Sequence, residues 1–334
     1  MGMRFKGIFL AKKFLRLLIL LICVCGLSFV LLINSPVDPV RAHLNSKASA
    51  SLSLEQRAQI AQFWGLDKPP LERFWSWATG AVQGNFGISM IYNRPVIEIL
   101  QERFAASVGI LVVAWIASGL LGFVLGILAA YRQGSLLDRV IKWYCLLLAS
   151  SPVFWVALLM LLVFASWLGW FPMALSTPVG VASANVTILD RLHHMALPAA
   201  TLSIVGGANI CLHTRQKMID VLRSDPVLFA EANGKTGWDI VIQHGLRGVA
   251  LPALTLQFVS FSELFGGSIL VEQVFSYPGL GVAASEAGLK GDMALLLGVV
   301  IASAGFVFIG NLIADLLYTM VDPRMRRVKD AETT

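Results

Sequence analysis

Long apolar runs alternate with short polar segments along most of the chain. Leu17–Ile33 carries no charge, and at ~1.5 Å of helical rise per residue it is long enough to cross hydrocarbon. Five further spans are expected at Ala105–Tyr131, Val140–Trp167, Leu197–His213, Val249–Val271 and Met293–Val321, with Pro152 as an internal kink in the third of the six. No small-x-small cleavage site follows Ile33, so the first run reads as a retained transmembrane helix, not a signal peptide. The expectation is an all-α integral membrane protein with six transmembrane helices.

The polar segments have patterns of their own. In 34–104, Ser53 and Gln56 form a capping box for a helix through Trp64 that Gly65 stops, and a second helix starts near Pro70. Phe74, Trp75 and Trp77 on that helix are placed at the membrane interface rather than in a ligand box. In 225–252, Asp225-Pro226 reads as an N-cap acid with proline at the first helical position, and Leu228, Phe229 and Ala232 recur at helical spacing. Gly234 and Gly237 end that helix, and a second amphipathic piece, Trp238–Leu246, leads to Leu251-Pro252. Two short helices joined by glycines are therefore expected between two spans, either docking on a soluble partner or forming a solvated loop. Ser118, Gly122 and Gly126, four apart, present a small-residue face that lets another helix approach closely and that a second bundle could fill.

Composition agrees with this picture: 57% of the residues are hydrophobic and only 14% charged. The net charge of +6 suggests nucleic acid until its distribution is considered, for the basic residues cluster at the ends of apolar runs. With the N-terminus inside, the short cytoplasmic segments hold Arg132, Arg139, Lys142, Arg215, Lys217, Arg223, Lys235, Arg247, Arg324, Arg326, Arg327 and Lys329. The short outer loops hold only Arg191 and Lys290. The bias puts both termini and 225–252 in the cytoplasm, and 34–104 outside.

The chemistry-bearing residues do not assemble into a catalytic constellation. Cys23, Cys25, Cys145 and Cys211 lie in apolar runs as small hydrophobes, without disulfide or zinc spacing. His193-His194 are adjacent and so do not share a helix face for a metal. Gly234-Lys235-Thr236 imitates the end of a phosphate-binding loop, but Phe229 stands where that loop needs glycine, and no strand precedes it. Glu263 and Asp315 are acids within apolar spans, suited either to an aqueous path or subunit interface or to a structural hydrogen bond.

In order and spacing, these residues resemble the inner-membrane permease subunits of ABC importers, specifically the dipeptide/oligopeptide/nickel permease family. The resemblance rests on Gly84-Asn85-Phe86-Gly87, Ser151-Pro152-Val153-Phe154-Trp155 and His194-Met195-x-Leu197-Pro198. It continues through Arg215, Asp225, Ala230, Ala232, Gly234, His244, Leu246-Arg247 and Leu251-Pro252, then Val271-Glu272-x-Val274-Phe275-Ser276-x-Pro278-Gly279-Leu280-Gly281, and closes on Asp315-Leu316-Leu317-Tyr318 and Asp322-Pro323-Arg324. It implies a type I importer permease fold in the cell inner (plasma) membrane. The first transmembrane helix would occupy 1–34, an extracytoplasmic region 35–104, the permease core 105–321 with a cytoplasmic coupling loop at 215–248, and a cytoplasmic tail 322–334.

The implied partners are a homologous second permease, two cytoplasmic ATPase subunits and an extracytoplasmic solute-binding protein, in a lipid membrane and without nucleic acid. Asp225, Ala230, Ala232, Gly234 and Gly237 would couple to the ATPases, which would carry ATP and magnesium. This chain would bind no cofactor or metal and would hold no catalytic residue. The family usually carries basic residues where this chain has Leu228, Glu231 and Asn233, and Glu231 is out of register with the glutamate that opens the importer loop motif. The substrate class implied is peptide, nickel or a metal chelate. A stand-alone channel or secondary transporter is the alternative, disfavoured by the lack of an internal repeat. A membrane enzyme is disfavoured by the lack of an active-site cluster.

The topology makes the first prediction. In intact cells a cysteine replacing Ser49 should react with an impermeant thiol reagent and one replacing Asn233 should not; the reverse pattern would invert the orientation.

Overall fold

A peptide group in hydrocarbon has no water to bond, so each apolar run closes its own backbone hydrogen bonds as a helix. The computed structural model describes residues 2–38, 42, 53–178, 180 and 185–321. The tail 322–334 with Asp322-Pro323-Arg324, and most of 39–52 including Ser49, lie outside the described residues. The helices are α1 (Gly2–Ile33), α2 (Leu54–Phe63), α3 (Pro70–Val82), α4 (Val96–Tyr131), α5 (Leu136–Ser150), α6 (Val153–Trp167), α7 (Ile188–Leu222), α8 (Asp225–Ala232), α9 (Trp238–Val259), α10 (Phe261–Val274), α11 (Leu280–Lys290) and α12 (Met293–Val321).

Four of these helices are long and apolar enough to cross a membrane alone: Lys13–Ile33 of α1, α4, α7 and Met293–Asp315 of α12. Two further spans are broken pairs, α5 with α6 at 111° and α9 with α10 at 49°, and each pair counted as one span makes six.

The break at Pro152 corrects the expectation of a kink inside one continuous third span. Proline drives the preceding residue out of the helical region, and Ser151 is extended, with φ −94° and ψ 133°. The carbonyls stranded at the end of α5 are satisfied locally. Ser150 Oγ donates to Leu146 O at 2.8 Å, Ser151 Oγ to Leu147 O at 2.7 Å, and Ser151 N–H to Leu148 O at 3.1 Å. The break at Ser260 has no proline to announce it. The Ser260 hydroxyl donates back to Gln257 O at 3.2 Å, a bond that competes with the helix ladder and bends it.

The chain divides into two units. In the first, Met1–Ser107 with Pro278–Phe308, Cys25 and Phe29 of α1 pack on Leu297 of α12, with Phe74 and Trp77 around them. The capping box forms as expected: Gln56 N–H donates to Ser53 Oγ at 3.2 Å, and Ser53 N–H to Gln56 Oε1 at 3.0 Å. Asp292, fully buried, starts α12. Its carboxylate accepts from Leu295 N–H at 3.1 Å, from Ser89 Oγ at 2.6 Å and from Ile91 N–H at 3.1 Å, so one side chain both caps the helix and holds the 88–95 loop.

In the second unit, Val108–Tyr277 with Ile309–Thr334, α4 meets α7 through the small-residue face. A Cβ on Gly122 would lie 2.6 Å from Gly207 O and 2.7 Å from Ile210 Cβ; one on Gly126 would lie 2.7 Å from Cys211 O. This corrects the expectation that the Ser118-Gly122-Gly126 face awaits another bundle: α7 of the same chain occupies it, and backbones this close leave no room for side chains. Trp115 and Gln257 tie α4 to α9 reciprocally, Trp115 Nε1 donating to Gln257 O at 2.9 Å and Gln257 Nε2 to Trp115 O.

Overpacking a tight helix contact costs roughly 1–3 kcal/mol. Gly122→Val should therefore lower the thermal midpoint of the detergent-solubilised protein clearly. Gly266→Ala, where nothing lies within 4 Å of the new Cβ, should leave it unchanged or slightly raised. Equal midpoints for Gly122→Val and the parent would show that α4 and α7 do not depend on this contact.

Candidate functional site

The 225–252 segment holds one free-standing short helix rather than two. Ser224, with φ −80° and ψ 153°, occupies the N-cap position, so the helix begins one residue earlier than expected, with Asp225 first and Pro226 second. The Ser224 hydroxyl caps nothing and donates to Val221 O at 2.6 Å. The Asp225 carboxylate instead lies in the first turn, where the helix dipole favours it. At the other end Gly234 has φ +81°, with Gly234 N–H on Glu231 O at 2.9 Å and Lys235 N–H on Ala230 O at 3.1 Å, a glycine-terminated helix stop.

Gly237, with φ +61°, turns the chain directly into α9, whose first residues, the expected second short helix, are continuous with the fifth span. They pass through a π-helical stretch, Val241–Gly245, and Trp238 packs on Tyr131 of α4 with ring centroids 4.5 Å apart.

One side of α8 is anchored and the other is bare. Val227 and Ala230 are buried. Leu228 and Phe229 are 54% and 71% exposed, and Ala232 is exposed beside them. The Gly-Lys-Thr sequence begins at the helix stop and follows a helix, not a strand.

Within the spans, Glu263 sits in the first turn of α10 beside the Ser260 break and lines a cavity of about 250 Å³ with Ser151, Asn209 and Ser260. Asp315 is half-buried on α12 and is not among the residues lining that cavity. A further acid, Glu272, is fully buried. The sequence reading placed it in a motif but not among the acids within spans, because the fifth span was ended at Val271, whereas α10 runs to Val274. Asp138 was also overlooked. It is buried at the start of α5, where its Oδ1 accepts from Arg215 Nε at 2.6 Å and its Oδ2 from Arg215 Nη2 at 2.8 Å and from Gly134 N–H at 2.9 Å. The fork locks the ends of α5 and α7 together. Asp138 three residues after Ser135 was the readable signal, and the Ser135 hydroxyl does accept from Asp138 N–H at 3.3 Å.

His193 and His194 pin the loop after α6, pairing with Trp170 O at 2.9 Å and Leu175 O at 3.1 Å. In the first unit Tyr92 donates to Glu286 and accepts from Arg103 Nη2 at 2.9 Å; burial, then the Glu286 carboxylate, pushes its phenol up to about 12. Trp64, Trp77 and Arg73 line a separate cavity of about 640 Å³ in that unit.

Comparison with known proteins completes the picture. The family model described as "Binding-protein-dependent transport system inner membrane component" matches residues 122–327, which take in both broken spans and α8. The oligopeptide transport system permease protein AppB of Bacillus subtilis (strain 168) is 32% identical over 320 residues, 95% of this chain and 98% of that one. A putative peptide permease protein of Brucella suis biovar 1 (strain 1330) is 35% identical over 93% of this chain and 97% of its own length. The glutathione transport system permease protein GsiC of Escherichia coli (strain K12) is 31% identical over 95% of this chain and 98% of its own length. With identity at this level running nearly end to end, and the family region spanning the helices just described, the chain belongs to the binding-protein-dependent transport system inner membrane components, all-α proteins of the type I permease fold, and is a permease subunit of an ABC importer.

Proposed function

We propose that this permease carries peptides inward through a complex with a homologous second permease, two cytoplasmic ATPase subunits and an extracytoplasmic solute-binding protein. The observation that carries the substrate class is that relatives matching over nine-tenths of the chain are named for oligopeptide, peptide and glutathione transport. In this reading α8 is the coupling element. The bare Leu228-Phe229 face supports it, because an apolar stripe on a short connector is ordinarily covered by a partner. Asp225, Ala230, Ala232, Gly234 and Gly237 shape the element: Ala230 anchors it and the two glycines set its angle to α7 and α9. ATP and magnesium are held by the ATPases, and no cofactor by this chain. Both termini are cytoplasmic and 34–104 faces outward, as the basic-residue bias supports.

The purified chain in liposomes should neither hydrolyse ATP nor pass substrate. Adding the second permease, the ATPases and the binding protein should give ATP-dependent uptake of labelled oligopeptide but not of nickel. Sustained ATP-independent flux by the chain alone would make it a channel or secondary carrier.

Coupling is tested at Gly234. Its φ of +81° is left-handed, and a β-branched residue there costs roughly 1–3 kcal/mol of backbone strain although nothing lies within 4 Å of a Cβ. Gly234→Val should insert normally but lose most of the transport-coupled ATPase activity, whereas Gly234→Asn, which tolerates that conformation, should retain more. Unimpaired coupling in Gly234→Val would remove α8 from the mechanism.

A further inference from the structure

The cavity of about 250 Å³ lies where two broken spans meet α7. Ser151 lines it at the α5–α6 break and Ser260 at the α9–α10 break, with Asn209 from α7 and Glu263 from α10. Each of these residues is near the middle of its own span, and irregular backbone at that depth is tolerated where it lines a cavity.

The Glu263 carboxylate has no task in the fold. A glutamate in the third position of a helix ordinarily reaches back to the N-cap amide. In α10 that amide, Ser260 N–H, already donates to Leu256 O at 2.9 Å. No cap bond forms from a side chain, and Glu263 has no hydrogen bond or ion pair among the described residues. No lysine, arginine or histidine lines the cavity to neutralise it. Glu263 and Asn209 are both exposed on this side of the unit, and the Asn209 amide is likewise uncommitted among the described residues. The Ser151 and Ser260 hydroxyls spend their protons on Leu147 O and Gln257 O, leaving only lone pairs for a ligand. Leu148, Val153, Leu202, Val205 and Leu264 make most of the wall apolar, and the few polar groups set in it offer one carboxylate and mostly acceptors. An ionised carboxylate at membrane depth is costly without a counter-charge, and in this protein nothing among the lining residues supplies one.

We propose that Glu263, with Asn209, Ser151 and Ser260, forms a subsite on the translocation path for a primary ammonium group of the substrate. An ammonium brings three N–H donors and a positive charge, the complement of this lining. At about 30 Å³ per water the space equals about eight waters, room for one terminal residue of a peptide rather than a whole one. A single charge in a mostly apolar wall suits a site that must also release its ligand. The inference rests on the peptide-import reading, and it adds which end of the substrate this chain recognises.

The test uses the complete reconstituted complex and saturating binding protein. Uptake of tri-alanine, N-acetyl-tri-alanine and N-acetyl-Ala-Lys-Ala is compared in wild type, Glu263→Gln and Glu263→Asp. Losing a charge-assisted hydrogen bond corresponds to about tenfold. Glu263→Gln should slow tri-alanine uptake by about that factor and leave N-acetyl-tri-alanine unaffected. Glu263→Asp should recover most of the rate, and the mutant complex should co-purify intact. Sensitivity of the lysine peptide to Glu263→Gln would extend the subsite to any primary ammonium, and insensitivity would confine it to the α-amine.

A second reading does not depend on delivery by the binding protein. Adding tri-alanine to the nucleotide-free complex should shift a carboxylate stretch in the infrared difference spectrum, and Glu263→Gln should abolish that shift. An equal loss for the free and acetylated tri-alanines, a failure to assemble, or identical spectra in the two proteins would overturn the subsite. A wild-type complex that imports no peptide of any kind would instead overturn the peptide-import reading.

Discussion

Inside hydrocarbon, a peptide group that leaves its helix must find another partner within the protein, and this requirement governs where the spans can break. The chain interrupts two spans and resolves the problem locally both times. At the end of α5 two serine hydroxyls and one backbone amide take the carbonyls of Leu146, Leu147 and Leu148. At the end of α9 the Ser260 amide and hydroxyl take Leu256 O and Gln257 O. With the backbone satisfied from within, Ser151 and Ser260 line a shared cavity, and α6 and α10 restart at their own angles.

Around those breaks the unbroken helices are held by contacts that leave little freedom. Gly122 and Gly126 bring α4 against the backbone of α7. The Asp138–Arg215 fork joins α5 to α7. Its planar, bidentate geometry fixes how the two helices meet. The Trp115–Gln257 exchange does the same for α4 and α9. An exposed short helix and a mid-span cavity within the same unit fit the proposed passing of a push from the connector to the path. In the coupling role proposed for α8, the buried Val227 and Ala230 would transmit that push, and the exposed Leu228 and Phe229 would receive it.

Much of this was legible in the residues alone. Six apolar runs follow from hydropathy, because hydrocarbon admits nothing but closed helices to these segments. The capping box at Ser53 and the left-handed glycine at 234 follow from chemistry that acts within a few residues. The motifs from Gly84 to Asp315, in their order and spacing, resemble those of the permease family closely enough to recognise it. Tertiary structure decided the rest. Only packing shows that the small-residue face is filled by α7 and that the second amphipathic piece is simply the start of the fifth span. A hydroxyl back-bond breaks a helix at Ser260 without any breaker residue. Glu263 read as one of two equivalent intramembrane acids until the Ser260 amide was found already bonded and no cation was found in the cavity lining. Whether a carboxylate is committed depends on neighbours dozens of residues away in sequence, and those neighbours are set by how the helices pack.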